Sequence, residues 1–172
     1  MSLGKPPRLV PVFQKYDPPL FFVTLRTRNR RRVSANTSLH EAFVEYGNRG
    51  IEQGIALGRY VILPDHIHLF VAGSHDFDLG LWIRGLKRVV AAAVPGGRGG
   101  NAPPSHHLLP SGPTAAATPS LWQRGFFDHL IRNSASYEQK WNYVRENAVR
   151  AGLAKTADEW PFQGDIVGID HP

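Results

Sequence analysis

The sequence predicts one α+β domain, with helices packed on an antiparallel sheet. Three observations carry this. Short runs rich in β-forming residues recur along the chain, and two of them flank a Pro-Asp pair. Longer segments between and after them place apolar residues at helical spacing. The order of these runs reads β-α-β-β-α-β-α, with no internal repeat. A chain of 172 residues fits a single domain with a sizeable core.

Residues 1–19 are punctuated by proline and read as an N-terminal arm. Leu20 to Leu25 form the first strand. That strand runs into Arg26-Thr-Arg-Asn-Arg-Arg-Arg32, five arginines in seven residues. Ser38-Leu-His-Glu41 has capping-box spacing, and Leu39, Phe43 and Tyr46 follow on one face, so a helix is expected over about 38–53. Leu57–Leu63 and His66–Ala72 are strand-like runs around Pro64-Asp65, either two paired strands or one long bent strand. A second helix is expected over 78–94, with Trp82, Leu86, Val89, Val90 and Val94 on one side and Arg84, Lys87 and Arg88 on the other. Residues 95–119, rich in Gly, Pro and Ala, read as a flexible insertion in which His106 and His107 are bystanders. Leu121–Ile131 restores order through a strand. Ser136-Tyr-Glu-Gln139 again has capping-box spacing, and the last helix runs to about Arg150 with Gly152 as its stop.

Composition narrows the classes of function. Hydrophobic residues make up 42%, and no stretch approaches the ~20 apolar residues of a membrane span. There is no cysteine, which excludes disulfides and thiolate metal sites. The N-terminus has no apolar signal core, so a cytoplasmic protein is expected. The net charge of +6 is dominated by arginine, whose planar fork suits phosphate. The competing explanation is codon usage in a GC-rich genome, which the Ala, Gly and Pro bias also fits.

The pair His66-Ile67-His68 is the first chemical signal. Strand alternation puts both imidazoles on one face, where they can grip a metal ion or a phosphate. The plain alternative is a pair of surface histidines, or core histidines bonded to backbone. The second signal lies on the last helix. Tyr143 and Asn147 are four apart and so share a face, while Trp141, Val144 and Val149 are candidates for the buried side. Taken alone, Tyr143 reads as a rim tyrosine and Asn147 as a late-helix residue bonding backbone.

Taken together, three motifs point further. Leu63-Pro-Asp-His-Ile-His-Leu69 resembles the His-hydrophobic-His motif of the HUH single-strand DNA endonucleases. The runs Trp122–Asn133 and Tyr143–Leu153, with the later Asp158-Glu-Trp-Pro-Phe162, resemble the REP-associated tyrosine transposases. The resemblance spans about residues 20–165 apart from the insertion. It implies a ferredoxin-like antiparallel sheet with helices packed on it and the catalytic tyrosine on a C-terminal helix. By position it implies Tyr143 as nucleophile and His66, His68 and Asn147 as metal ligands. Relatives usually have Asn-Pro-Val where this chain has Asn147-Ala148-Val149, and alanine permits another helical turn there.

The implied chemistry follows. A phenol has a pKa near 10 and is a poor nucleophile at neutral pH. A divalent cation would polarise the scissile phosphate while Tyr143 attacks in line, leaving a 5′-phosphotyrosine and a free 3′-hydroxyl. Imidazole ligands favour Zn²⁺ or Mn²⁺, whereas the family implies Mg²⁺ or Mn²⁺; the expectation is Mg²⁺ or Mn²⁺, held weakly without DNA. The implied partner is single-stranded DNA beside a hairpin from repeated extragenic palindromes, with no small-molecule substrate. Arg26, Arg28, Arg30, Arg31 and Arg32 are expected on the DNA backbone, and Arg84, Lys87 and Arg88 have a weaker claim. Trp122, Phe126 and Phe127 are candidates for base stacking, with core packing expected for two of the three. The alternatives are a non-catalytic module of the same fold that binds structured nucleic acid, and a phosphodiesterase that uses water. A monomer or a homodimer fits, nucleoid-associated when bound to DNA.

Overall fold

The computed structural model describes residues 18–95 and 120–169. The predicted arm lies outside these residues save its last two positions, and the predicted insertion, with His106 and His107, lies outside save Pro95.

The elements are β1 (Leu20–Arg26), α1 (Thr37–Ile51), β2 (Ala56–Leu63), β3 (His66–Ala72), α2 (Leu79–Ala93), β4 (Phe127–Ile131), α3 (Ser134–Arg145), α4 (Asn147–Arg150) and β5 (Gln163–Asp165). The strands form one antiparallel sheet in the order β4-β1-β3-β2-β5. The first six elements follow the β-α-β-β-α-β order expected of a ferredoxin-like fold. β2 and β3 are paired strands, not one bent strand, and Pro64-Asp65 is the turn between Leu63 and His66.

Strand alternation divides the sheet residues between two layers. Val23, Leu25, Ile62, Ile67, Leu69 and Val71 face α1 and α2 and form the main core with Leu39, Phe43, Trp82, Ile83 and Leu86. Phe22, Thr24, Arg26, Val61, Leu63, His66, His68 and Phe70 face the other way. The chain from α3 to Trp160 covers most of that second face. Tyr137 packs with Leu20, Phe70 and Ile131, and Trp141 lies against this cluster. Val144, Ala148 and Trp160 pack with Val61 and Leu63.

Three details depart from the sequence reading. The cap of α1 is Asn36, whose side chain accepts from the Leu39 amide at 2.9 Å; Ser38 lies inside the helix. The cap of α3 is Asn133, which accepts from the Ser136 amide at 2.8 Å. In both, the cap is the asparagine whose extended backbone turns its carboxamide onto a free amide of the first turn. The last helix is also not continuous. Glu146 (φ −77, ψ −5) ends α3, and α4 restarts at Asn147, so alanine in place of the relatives' proline does not carry α3 through. Gly152 then turns the chain with φ +69, as expected of a helix stop.

Candidate active site

His66 and His68 stand side by side on β3, their ring centroids 4.8 Å apart and nearly perpendicular. Each ring is held through Nδ1. The Asp65 carboxylate lies 2.6 Å from Nδ1 of His66, and the Thr24 hydroxyl lies 2.9 Å from Nδ1 of His68. A continued strand pleat would send Asp65 to the opposite sheet face. Its place in the two-residue turn frees it from the pleat and lets it reach back. An ionised carboxylate can only accept, so the Nδ1–H of His66 donates and the lone pair of the neutral ring sits on Nε2. His68 also stacks on Phe22, with centroids 5.4 Å apart and planes within 15°.

Charge and burial keep the imidazoles neutral. Burial pushes His68 down to about 3; a proton on neighbouring His66 would lower it further, and the Arg26 and Arg150 charges add to this. His66 is lowered by burial, with Arg30 and Arg26 adding to the shift and Asp65 opposing it. Burial acts to raise the Asp65 carboxyl, but the His66 and Arg30 contacts outweigh it and hold it below the usual carboxylate value.

The arginine run is folded against this corner. Asp65 pairs with Arg30 Nε at 2.7 Å. The Thr27 amide and hydroxyl both donate to the Asp65 carbonyl, at 2.9 and 3.0 Å, and the Val33 amide donates to the Pro64 carbonyl. Asn29 and Arg30 adopt positive φ, 54° and 55°, to make this tight path. Of the predicted DNA-contacting arginines, Arg28, Arg31 and Arg32 are exposed, Arg30 is ion-paired, and Arg26 is half-buried beside the histidines.

The second half of the predicted site lies on the same sheet face. Val61 is the cross-strand partner of His68 and Leu63 that of His66, and Val144 and Ala148 pack on Val61 and Leu63. Tyr143 is next to Val144 in sequence and 65% exposed, open to a substrate. Tyr143 and Asn147 sit on either side of the helix break, and Arg150 ties them together. Its guanidinium lies 4.3 Å over the Tyr143 ring and donates to the Tyr143 carbonyl and to Oδ1 of Asn147. Its charge also reaches His68. The sequence reading missed Arg150, although the i, i+7 spacing from Tyr143 signals a shared helix face.

Other predicted residues are placed elsewhere. Arg84, Lys87 and Arg88 lie on α2, in the layer against the opposite sheet face. The half-buried Lys87 ammonium is engaged by the protein itself, donating to the carbonyls of Gln123, at 3.0 Å, and Gly125. Trp122 is buried, its indole N–H donating to the Lys87 carbonyl at 2.7 Å, and Phe126 packs against the main core. Phe127 alone of the three candidate aromatics is exposed, at 57%.

The donor set fits a divalent cation in part. Nε2 is the available atom of His66, and it is that of His68 in the tautomer whose Nδ1–H donates to the Thr24 hydroxyl. Among the described residues, no group of three or more His, Cys, Asp or Glu is arranged to hold a metal. Asp65 directs its oxygens to His66 and Arg30, so for Asn147 to serve as a third protein ligand, and the one oxygen among them, it would have to exchange its Arg150 contact.

No family model matches the chain. It is 24% identical over 146 residues to the REP-associated tyrosine transposase of Escherichia coli (strain K12), an alignment covering 83% of this chain and 73% of the relative. A Haemophilus influenzae Rd protein that carries the same name provisionally is 24% identical over 144 residues, covering 83% of this chain and 77% of that one. Among solved structures, a REP-associated tyrosine transposase bound to a REP hairpin superposes with a TM-score of 0.61 at 21% identity, covering 90% of each chain. Motifs, relatives and fold agree: the chain is similar to the REP-associated tyrosine transposases in sequence and in fold.

Proposed function

We propose that this protein cleaves and rejoins single-stranded DNA beside a hairpin, with Tyr143 as nucleophile and a divalent cation at His66, His68 and Asn147. One observation carries the reading: Val144 and Ala148 pack on Val61 and Leu63, the cross-strand neighbours of the two histidines. That packing brings the helix bearing the phenol onto the face bearing the imidazoles. A solved homologue was determined with a REP hairpin bound, which supports hairpin DNA as the partner.

In this mechanism the hairpin docks and its flanking strand crosses the histidine face. Exposed Arg28, Arg31 and Arg32 meet backbone phosphates. Arg26 and Arg150 place two cations near the scissile phosphate. The Tyr143 oxygen bonds to phosphorus as the phosphorus–O3′ bond breaks; the phenol proton leaves to solvent, and the departing 3′-oxygen takes up a proton. The products are a 5′-phosphotyrosine and a free 3′-hydroxyl. Attack by a second 3′-hydroxyl reverses the sequence, forming a new phosphodiester and releasing Tyr143 without ATP. Mg²⁺ or Mn²⁺ at the site would neutralise charge on the phosphate. Asp65 and Thr24 orient the two rings throughout.

The test is a denaturing gel of protein mixed with Mn²⁺ and single-stranded DNA carrying a REP hairpin with single-stranded flanks. The expected result is a covalent adduct that disappears in Tyr143→Phe. Cleavage that survives the substitution would establish a water nucleophile instead, and tight binding without cleavage would establish a non-catalytic module.

A further inference from the structure

We propose that Phe127 and Arg26 form a stacking platform for one unpaired nucleobase next to the scissile phosphate. The proposal rests on the single-strand DNA reading above.

Phe127 is the first residue of β4, the edge strand, and its register partner is Thr24, whose other cross-strand partner is His68. Directly opposed residues share a sheet face, so Phe127, Thr24 and His68 form one transverse row. Two strand spacings separate the ring from the histidine strand, about 10 Å, the reach of a neighbouring nucleotide. The ring is 57% exposed. Its neighbours in sequence show that this exposure is not the general fate of aromatics here, since Trp122 and Phe126 are absorbed by the core.

Arg26 makes the ring part of the site. Its guanidinium lies 5.0 Å from the Phe127 centroid. Arg26 is also the register partner of His66. Its buried Nε–H has no hydrogen-bond acceptor among the described residues, and the Phe127 ring lies against the guanidinium. An arginine braced on a phenyl ring, with the rest of the ring open to solvent, presents a flat surface and a positive charge together. Single-stranded DNA offers the complement, a base with a π-face joined to a phosphate. The adjoining Arg28, Arg31 and Arg32 favour an anionic polymer over an apolar protein or lipid surface. Asp128 follows the pleat to the opposite face.

The experiment uses the full chain and single-stranded DNA oligonucleotides carrying one 2-aminopurine at successive positions. Wild type should bind and quench the fluorophore at one position by stacking. Phe127→Ala and Phe127→Leu should each lose about tenfold in affinity together with that quench. Leucine keeps apolar bulk and removes the π-face, and Phe127→Trp should retain both signals. All variants should melt with wild type, because the ring is exposed. Wild-type affinity and quench in Phe127→Ala would overturn the platform alone. Failure of wild type to bind single-stranded DNA at all would overturn the functional reading and the platform with it.

Discussion

Replacing Asp65 tests the site where its geometry is most specific. The carboxylate sits 2.6 Å from Nδ1 of His66, and both side chains are about four-fifths buried, at 20% and 19% exposed. In Asp65→Ala the His66 ring loses the acceptor that selects its tautomer and fixes its rotation. Loss of such an outer partner of a ligating histidine typically weakens metal binding by about 10- to 100-fold, which corresponds to roughly 1.4–2.8 kcal/mol. Asp65→Asn keeps an acceptor but removes the charge, so its loss should be smaller. Arg30 also loses its partner, but that arginine is 59% exposed and the pair contributes under about 1 kcal/mol. Stability should therefore change far less than metal affinity. Mn²⁺ binding followed by electron paramagnetic resonance at neutral pH, beside thermal melts, separates the two effects. His66→Ala supplies the floor. If Asp65→Ala binds Mn²⁺ as wild type does, the carboxylate does not orient a metal ligand. If metal binding is kept and the protein melts much lower, Asp65 serves the Pro64 turn instead.

Three further outcomes are expected. Arg150→Met removes the cation over Tyr143 and the contact to Asn147; single-turnover cleavage should fall by on the order of a hundredfold while the exposed position leaves the melting temperature near that of wild type. Lys87 is held down to about 8 by burial, against an ordinary 10.5, so the unfolded chain binds the extra proton between those values. Stability of wild type relative to Lys87→Met should thus rise as pH climbs from about 8 to 10.5, read by chemical denaturation across a pH series; a flat difference would refute the burial of the ammonium. Asn36→Ala should cost about 0.5–2 kcal/mol as the loss of a helix cap, whereas Ser38→Ala should cost little, in the same denaturation assay.

What was legible in this sequence follows from which physical rule sets each feature. The pleat alone puts His66 and His68 on one face, and helical spacing alone places Trp82 and Leu86 in the core. Both rules act within one element. The caps were misplaced because serine and asparagine lie close together at each helix start; the choice turns on which residue stays extended, as Asn36 does at φ −142 and ψ 166. The orientation of Asp65 depended on whether Pro64 ended one strand or bent a longer one, a question of pairing rather than of local sequence. The decisive relation was the least local. α3 had two sheet faces available, and nothing in its own pattern names the one with the histidines. The answer is written on β2. Ile62 meets the core already filled by α1 and α2, which leaves Val61 and Leu63 as apolar residues on a face that also carries Thr24, Arg26, His66 and His68. Covering these two apolar side chains is favourable, and Val144, Ala148 and Trp160 supply the cover. The hydrophobic effect therefore lays the helix that bears Tyr143 on the sheet face that bears the imidazoles, through the same contact that buries β2 on its second face. The same accounting explains why Phe127, on β4 three strands from β2, is left exposed.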